Sequence, residues 1–205
     1  TLVATAGLKS DLADRGFEHL ALWSRGVDTA LFRPRPDACV EGAGPISLYV
    51  GRVAVEKNVE AFLSLNIPGT KYVVGDGPQL AELRSLYPSV RFVGPKHGEE
   101  LASYFAAADV FVFPSRTDTF GLVLLEALAS GVPVAAYPTR GPLDVVGSAP
   151  VGVLSEDLGG AVRAALMLDP AACRRHALGF TWQACARALL DHVAPLGRPF
   201  EVMVP

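Results

Sequence analysis

The segment Asp118-Thr-Phe-Gly-Leu-Val-Leu-Leu-Glu126 places two acidic residues around a glycine and a run of leucines. Pro114 and the Ser, Thr and Asp residues after it predict that Asp118 lies in a loop before a helix. The free amides of residues 119–122 at the start of that helix would favour an anion. Glu126 would lie among leucines, where an unpaired carboxylate is costly and two ribose hydroxyls would satisfy it. The segment therefore predicts a site for a nucleotide.

Each of the two acids also has a purely structural interpretation. Asp118 could cap the N-terminus of the helix, and Glu126 could form a structural salt bridge. Either interpretation is reasonable when one acid is considered alone. We favour function because both acids occur together with a pair of cations that the sequence places at the same edge of the predicted sheet.

That pair of cations belongs to the segment Gly51-Arg-Val-Ala-Val-Glu-Lys57. A helix N-terminus attracts anions, and Arg52 and Lys57 beside it would form a clamp for a diphosphate. Arginine offers a planar fork and lysine a point charge. The alternative is a surface Arg and Lys, with Glu56 pairing one of them, and the spacing alone does not decide between the two.

Two further loops carry weaker signals. Gly75-Asp-Gly-Pro78 suits a strand-to-helix turn, with Pro78 at the first position of the helix. Backbone groups of Gly94-Pro-Lys-His-Gly98 could contact the edge of a base. No carboxylate or serine is spaced to make His97 part of a catalytic triad, so we interpret it as a solvated loop residue.

The elements that must position these loops alternate along the chain. Short apolar runs predict strands at 46–50, 72–74, 90–93, 110–113, 132–136 and 151–154. Helical spacing predicts helices at 58–65, 78–86, 99–107 and 121–129, with further helices between 156 and 193. This alternation is typical of an α/β fold with a Rossmann-like parallel sheet and helices on both faces. Ligands of such sheets bind outside the carboxyl ends of the strands, where the four loops lie.

Composition argues against several classes of protein. The chain has 205 residues, is 50% hydrophobic and carries a net charge of −3, so we expect no nucleic-acid partner. Its three cysteines lack CxxC spacing, which suggests neither disulfides nor a metal site but reduced thiols in a cytoplasmic protein. The apolar stretch 120–137 is interrupted by Glu126, Gly131 and Pro133, which favours a buried helix and strand over a membrane span. The first residues lack the basic and apolar regions of a signal peptide.

The ordered set of motifs resembles the C-terminal half of the retaining GT-B glycosyltransferases of family four, also called group 1. The resemblance extends roughly from Trp23 to Leu190, and the whole set is more specific than any single motif. The motifs are, in chain order, Arg25-Gly-Val-Asp-Thr-Ala-Leu-Phe-Arg-Pro34, Gly51-Arg52 with Glu56-Lys-Asn58, Gly75-Asp-Gly-Pro78, Phe92-Val-Gly94, Ala108-Asp-Val-Phe-Val-Phe-Pro-Ser115, Asp118-Thr-Phe-Gly-Leu-Val-Leu-Leu-Glu-Ala127, Gly131-Val-Pro-Val134 and Phe180-Thr-Trp182.

The resemblance implies a domain that binds a nucleotide diphosphate-sugar as donor substrate. Arg52 and Lys57 would hold the diphosphate, and with Asp118 on the transferred sugar they would be the catalytic residues. Glu126 would bind the ribose, and the region Val93–Lys96 would line the base. No bound metal and no permanent cofactor are implied, because the clamp and the helix dipole stabilise the leaving diphosphate. The whole donor-binding set is Gly51, Arg52, Lys57, Gly75, Val93, Lys96, Asp118, Thr119, Phe120, Gly121, Leu122 and Glu126.

Two departures from the family pattern matter. The family usually has Glu where this chain has Asp118, whose shorter side chain reaches less far toward the sugar. The acceptor-binding N-terminal domain is also absent. Residues 1–24 would be its tail or a linker, 25–179 the nucleotide-sugar-binding domain, and 180–205 a closing helix and C-terminal tail. We therefore expect a fragment that binds nucleotide but does not transfer sugar alone. Any contact with the cytoplasmic face of the inner membrane would come through the missing half.

Two other functions stay open at this point. The chain could be the nucleotide half of a GT-B-type epimerase or nucleotidase, although the Asp-Thr-Phe-Gly loop with Arg52 and Lys57 argues against this. It could also be a non-catalytic α/β module that uses the sheet edge to bind a nucleotide or a partner. A module that binds only a partner would have no affinity for UDP, GDP or ADP.

Overall fold

A sheet of six parallel strands forms the centre of the chain in a computed structural model that describes residues 1–118 and 120–193. A separate two-stranded parallel sheet precedes it. The strands are β1 (Leu2–Val3), β2 (Ala21–Leu22), β3 (Ile46–Val50), β4 (Thr70–Val74), β5 (Arg91–Gly94), β6 (Val110–Phe113), β7 (Val134–Ala136) and β8 (Gly152–Leu154). The helices are α1 (Ala6–Asp14), α2 (Val59–Leu63), α3 (Leu80–Leu86), α4 (Gly98–Ala106), α5 (Leu122–Ala129), α6 (Arg140–Val146), α7 (Leu158–Ala165), α8 (Pro170–Ala177) and α9 (Trp182–Val193), and Val55–Lys57 forms a short 3-10 helix.

The central sheet is buried on both faces because its strands are apolar at nearly every position. On β3, Leu48 packs with helices α4, α5, α6 and α8, whereas its neighbour Tyr49 packs with α2, α3 and α7. Successive side chains of a strand point to opposite faces, so one apolar run serves two cores. The sequence-based prediction of a Rossmann-like parallel sheet with helices on both faces is confirmed.

The order of the strands creates one central crevice. Across the sheet they lie in the order β5-β4-β3-β6-β7-β8, and every neighbouring pair is parallel. The chain therefore moves outward from β3 to β5, crosses back to β6 on the other side of β3, and moves outward again. Loops that follow β3 and β6 leave in opposite directions, which opens a crevice at their carboxyl ends.

The predicted elements differ from the observed ones mainly at their ends. The predicted helix 58–65 is divided, because Asn58 adopts a left-handed conformation between the 3-10 helix and α2. Helix α3 begins at Leu80, so Pro78 is not its first residue as predicted. Helix α6 was not among the predicted helices; Pro142 lies in its first turn, where no donor is lost.

The apolar stretch 120–137 forms α5 and β7 as separate elements, as expected. No helix in the part of the chain that the structure describes is long and apolar enough to cross a membrane.

Residues 1–24, here called the leading segment, pack on the carboxyl side of the central sheet. Helix α1 contacts α6 through an ion pair between Asp11 and Arg140, and the amide of Gly7 donates to Asp144 at 3.1 Å. Helix α9 returns to the same segment, since the indole of Trp23 donates to the carbonyl oxygen of Cys185 at 3.0 Å. The segment that contains β1 and β2 is thus connected to α6 and to α9.

Arg174 links three segments at the other side of the molecule. Its guanidinium donates to the carbonyl oxygens of Phe32 at 2.7 Å, Ala129 at 2.7 Å and Thr29 at 2.9 Å. Burial lowers the pKa of Arg174, with a smaller contribution from the nearby Arg33. The planar fork of arginine suits such multiple hydrogen bonds, which lysine would not reproduce.

We expect Arg174→Ala to lower the free energy of unfolding by about 2–4 kcal/mol, because three carbonyl groups lose their donor together. Urea unfolding measures the change. Arg175→Ala is the matched control, since that neighbour forms only an exposed pair with Asp169 and should change stability by less than about 0.5 kcal/mol. Equal effects of the two substitutions would show that Arg174 does not connect these segments.

Candidate functional site

An ion pair joins the two central loops across the crevice. The ammonium group of Lys57 lies 2.8 Å from both carboxylate oxygens of Asp118, and the two side chains are only 27% and 23% exposed. Lys57 ends the 3-10 helix after β3, and Asp118 lies in the loop after β6. The sequence predicted that both residues lie at this edge but did not predict that they bind each other.

Two hydrogen bonds follow the same path between the loops. The hydroxyl of Thr117 donates to the carbonyl oxygen of Glu56, and the amide of the Asn58 side chain donates to that of Pro114, each at 3.2 Å. Asn58 adopts a left-handed backbone conformation, and its side chain points toward the loop after β6. These contacts hold the cation-bearing loop and the acidic loop as one unit.

The start of α5 faces the crevice without a side-chain cap. Gly121 occupies the N-cap position with a φ of 79°, a conformation that favours glycine. Asp118 is therefore not the N-cap residue, and that structural interpretation of it is wrong. The uncapped amides at the start of the helix remain available to an anion. Phe120 and Leu122 line the adjacent surface, and Thr119 lies outside the described residues.

Arg52 extends from the same loop as Lys57 but is 64% exposed. Its guanidinium lies 3.4 Å from the carboxylate of Glu56, which is itself 47% exposed. Such an exposed pair contributes little to stability, so an incoming anion can replace Glu56 at low cost. The expected alternative, in which Glu56 pairs with one of the two cations, is therefore observed for Arg52 only.

Glu126 is a half-buried carboxylate on α5. No described residue donates a hydrogen bond to it or pairs with it, so the expected structural salt bridge is not formed in the described chain. Burial raises the pKa of Glu126 to about 7. A desolvated acid of this kind is typical of a functional site, because a ligand can supply the donors that the protein does not.

Gly75 and Gly77 support the cation-bearing loop by close packing. A Cβ atom at Gly75 would lie 1.9 Å from the carbonyl oxygen of Gly51, and one at Gly77 would lie 2.3 Å from that of Val53. The backbone amide of Val53 donates to the carbonyl oxygen of Asp76 at 2.8 Å, and that of Gly51 donates to the carbonyl oxygen of Val74 at 3.0 Å. The packing of the two loops explains the need for glycine at 75 and 77, whatever contact Gly75 makes with a ligand.

The loop after β5, which contains Lys96, lies next to the loop after β4. The amide of Gly75 donates to the carbonyl oxygen of Gly94 at 2.9 Å, and Val93 is half-buried beside the core. Lys96 is directed along α4, where its ammonium lies 2.5 Å from Glu100 and 6.0 Å from the ring centroid of Tyr104. The structure thus does not bring Lys96 to the Lys57–Asp118 pair.

A cavity of about 520 Å³ opens beside Asp118. One wall comes from the leading segment and the other from the start of α5, and Arg25, to which the sequence assigned no role beyond a motif, also lines it. A larger apolar groove of about 990 Å³ lies at the amino ends of the strands, next to Pro45, Pro68 and Pro133, away from every predicted site residue. In the described chain no group of three or more His, Cys, Asp or Glu could hold a metal ion.

Comparison with known proteins identifies the family of this chain. The family model for group 1 glycosyl transferases matches residues 44–168. The chain belongs to the group 1 glycosyl transferases. The matched region contains all the central loops of the crevice, so the resemblance to group 1 enzymes is confirmed.

Two curated relatives and one solved structure illustrate the similarity. The chain is 37% identical to the sulfoquinovosyl transferase SQD2 of Arabidopsis thaliana, covering 71% of this chain and 32% of that protein. It is 35% identical to a GDP-mannose-dependent alpha-mannosyltransferase of Mycobacterium tuberculosis, covering 94% and 55%. The sucrose-phosphate synthase of Thermosynechococcus elongatus superposes with a TM-score of 0.83 at 29% identity, covering 95% and 57%. The chain thus spans a third to about half of the length of these proteins.

We expect Glu126→Gln to stabilise the protein at about pH 8 by roughly 2 kcal/mol. The pKa of this group is raised from 4.5 to about 7 in the folded state. The folded protein therefore binds the proton more tightly than the unfolded chain, and its stability falls as the pH rises from about 4.5 to 7. Glutamine carries no charge to desolvate, so its advantage should disappear at about pH 4.5.

Urea unfolding at the two pH values measures this difference. The exposed Glu82, which lies on α3, offers the control substitution Glu82→Gln, for which we expect no pH-dependent gain. A Glu126→Gln variant that is less stable than the original protein at about pH 8 would contradict the assignment of a partly desolvated carboxylate without a partner among the described residues.

Proposed function

We propose that this chain is the donor-binding part of a retaining glycosyltransferase that transfers a sugar from a nucleotide diphosphate-sugar to a separate acceptor. The observation that carries the proposal is the Lys57–Asp118 pair at the crevice between β3 and β6. It brings an ammonium group for a phosphate and a carboxylate for a sugar to the edge where ligands of this fold bind. Membership of group 1 and the donor named for the mycobacterial relative support the same conclusion.

Arg52, Lys57 and the amides at the start of α5 would bind the diphosphate. All three carry positive charge or partial charge, and they converge on the crevice from two loops. Groups that are already in place when charge develops on a leaving group stabilise the transition state without reorganisation. On this proposal the leaving diphosphate needs no metal and no permanent cofactor.

The two acids would have different ligands. Glu126, which lacks a donor in the described chain, would accept hydrogen bonds from the two ribose hydroxyls. Asp118 would contact the transferred sugar in the adjacent cavity. Because Asp118 pairs with Lys57, the ammonium would be shared between Asp118 and the diphosphate of a bound donor.

On this proposal, the acceptor hydroxyl approaches the face from which the diphosphate leaves, so the configuration at the anomeric carbon is retained. The bond between the anomeric carbon and the diphosphate oxygen breaks, the new bond to the acceptor oxygen forms, and the acceptor proton passes to the leaving oxygen. A further domain would bring the acceptor, since the chain spans only part of its relatives. Contact with a membrane, if the full-length enzyme makes one, would also belong to that domain.

We expect the chain to bind at least one of UDP, GDP and ADP, measured by calorimetry. Lys57→Ala, Arg52→Ala and Glu126→Ala should each weaken binding by about 1–3 kcal/mol, because each removes a charged hydrogen-bond partner. Arg163→Ala is the control, since its loose 4.0 Å pair with Asp157 lies outside the crevice. If none of the three nucleotides binds, the proposed function is wrong and a partner-binding module becomes the better interpretation.

Asp118→Asn gives a prediction of opposite sign. The substitution frees Lys57 and removes a negative charge, so affinity for the nucleoside diphosphate should rise by about 0.5–1.5 kcal/mol. Affinity for the matching nucleotide sugar should not rise to the same extent, because the contact to the sugar is lost. Calorimetry with the two ligands measures both values. Weaker binding of the diphosphate by Asp118→Asn would exclude competition between Asp118 and phosphate for Lys57.

A further inference from the structure

Tyr49 lies directly beneath the cation-bearing loop. It is the fourth residue of β3, is 1% exposed and packs in the core with α2, α3 and α7. Its hydroxyl is not buried without a partner, because it donates to the carbonyl oxygen of Arg52 at 2.8 Å. The ring therefore belongs to the core, while the hydroxyl ends at the loop that carries both cations.

Among the described residues, the carbonyl oxygen of Arg52 depends on one side-chain hydrogen bond. The amides of Gly51 and Val53 are tied to the neighbouring loop at Val74 and Asp76. Between them, the carbonyl oxygen of Arg52 has the Tyr49 hydroxyl as its partner among the described residues, and no backbone amide donates to it. Removal of this hydroxyl would leave the peptide unit that follows Arg52 held, among the described residues, only by the hydrogen bond from the Val53 amide to the carbonyl oxygen of Asp76.

The local packing leaves room for this hydroxyl. A Cβ atom at Gly51 would lie 2.9 Å from the Tyr49 oxygen, so a side chain there would press on the donor itself. Burial, followed by the negative charges of Asp118 and Glu56, raises the pKa of Tyr49. The hydroxyl is therefore protonated at neutral pH and able to donate.

We propose that Tyr49 is a positioning residue that orients Arg52 and Lys57 for the diphosphate by fixing the carbonyl group of Arg52 between them. The inference rests on the proposed function of the crevice. Tyr49 touches no substrate; it acts by limiting the conformations of residues 51–57, which reduces the entropy lost when the anion binds. A phenylalanine would fill the same core but would not restrain the loop.

The test compares Tyr49→Phe with Tyr72→Phe. Tyr72 is a matched control, because it lies on the adjacent strand, is also buried and donates its hydroxyl to a backbone carbonyl, that of Glu41, at 2.5 Å. Its partner lies outside the crevice. Calorimetry with the nucleoside diphosphate that the original chain binds should show about fivefold weaker binding for Tyr49→Phe and less than about twofold for Tyr72→Phe.

Two further measurements separate positioning from a general loss of stability. In the double variant with Arg52→Ala, the combined fold-loss should be smaller than the product of the two single losses, because one of the two side chains that the hydroxyl orients is already absent. Without any ligand, the backbone amide of Val53 should exchange its hydrogen severalfold faster in Tyr49→Phe and at an unchanged rate in Tyr72→Phe.

Unchanged affinity and unchanged exchange in Tyr49→Phe would overturn the positioning role while leaving the proposed function intact. Equal losses of affinity in both tyrosine variants would overturn it as well, because the effect would then be one of stability. If the original chain binds none of UDP, GDP and ADP, the proposed function fails and this inference fails with it.

Discussion

The ion pair between Lys57 and Asp118 is the contact on which the arrangement of the crevice depends. The strands β3 and β6 are neighbours in the sheet, but the segments that follow them leave toward opposite edges. A parallel sheet of this order opens a crevice between these segments. The Lys57–Asp118 pair lies in this crevice, and its opposite charges are largely shielded from water. Partial burial strengthens their attraction and also makes each charge costly alone. On the proposed function, a diphosphate would offer Lys57 a second anion.

Close packing of backbones supports the pair from one side. The loops after β3, β4 and β5 lie against each other at Gly51, Gly75 and Gly94, joined by amide-to-carbonyl hydrogen bonds. Side chains at Gly75 or Gly77 would collide with the carbonyl groups of the first loop. The glycine motifs are thus needed for contact between loops, which sets how far Arg52 and Lys57 stand from the sheet.

Burial of the Glu126 carboxylate lowers the stability of the folded state. A carboxylate with a pKa near 7 and no partner in the described chain weakens the folded state at neutral pH, whereas glutamine would not. On the opposite side of the domain, Arg174 stabilises the folded state. Its guanidinium donates to three carbonyl oxygens that accept no hydrogen bond within a helix or strand. On the proposed function, the cost at Glu126 would have a reason, because the hydroxyls of a ligand would supply the donors that the described chain does not.

The sequence by itself determined the sheet with helices on both faces and the loops in which chemistry occurs, because alternation of apolar runs with helical spacing and the positions of Gly, Pro and acidic residues are local signals. Strand ends, the divided helix at Asn58 and helix α6 were not determined locally, since tertiary contacts selected those boundaries. Only the tertiary structure decided that Lys57 binds Asp118, that Glu126 has no partner in the described chain, that Lys96 turns toward Glu100 and that Tyr49 meets the carbonyl of Arg52. The contact between Lys57 and Asp118 joins residues 61 positions apart, so spacing along the chain carries no record of it. The contacts of Lys96 and Tyr49 are close in sequence, but the direction of each side chain depends on the loops and helices packed around it.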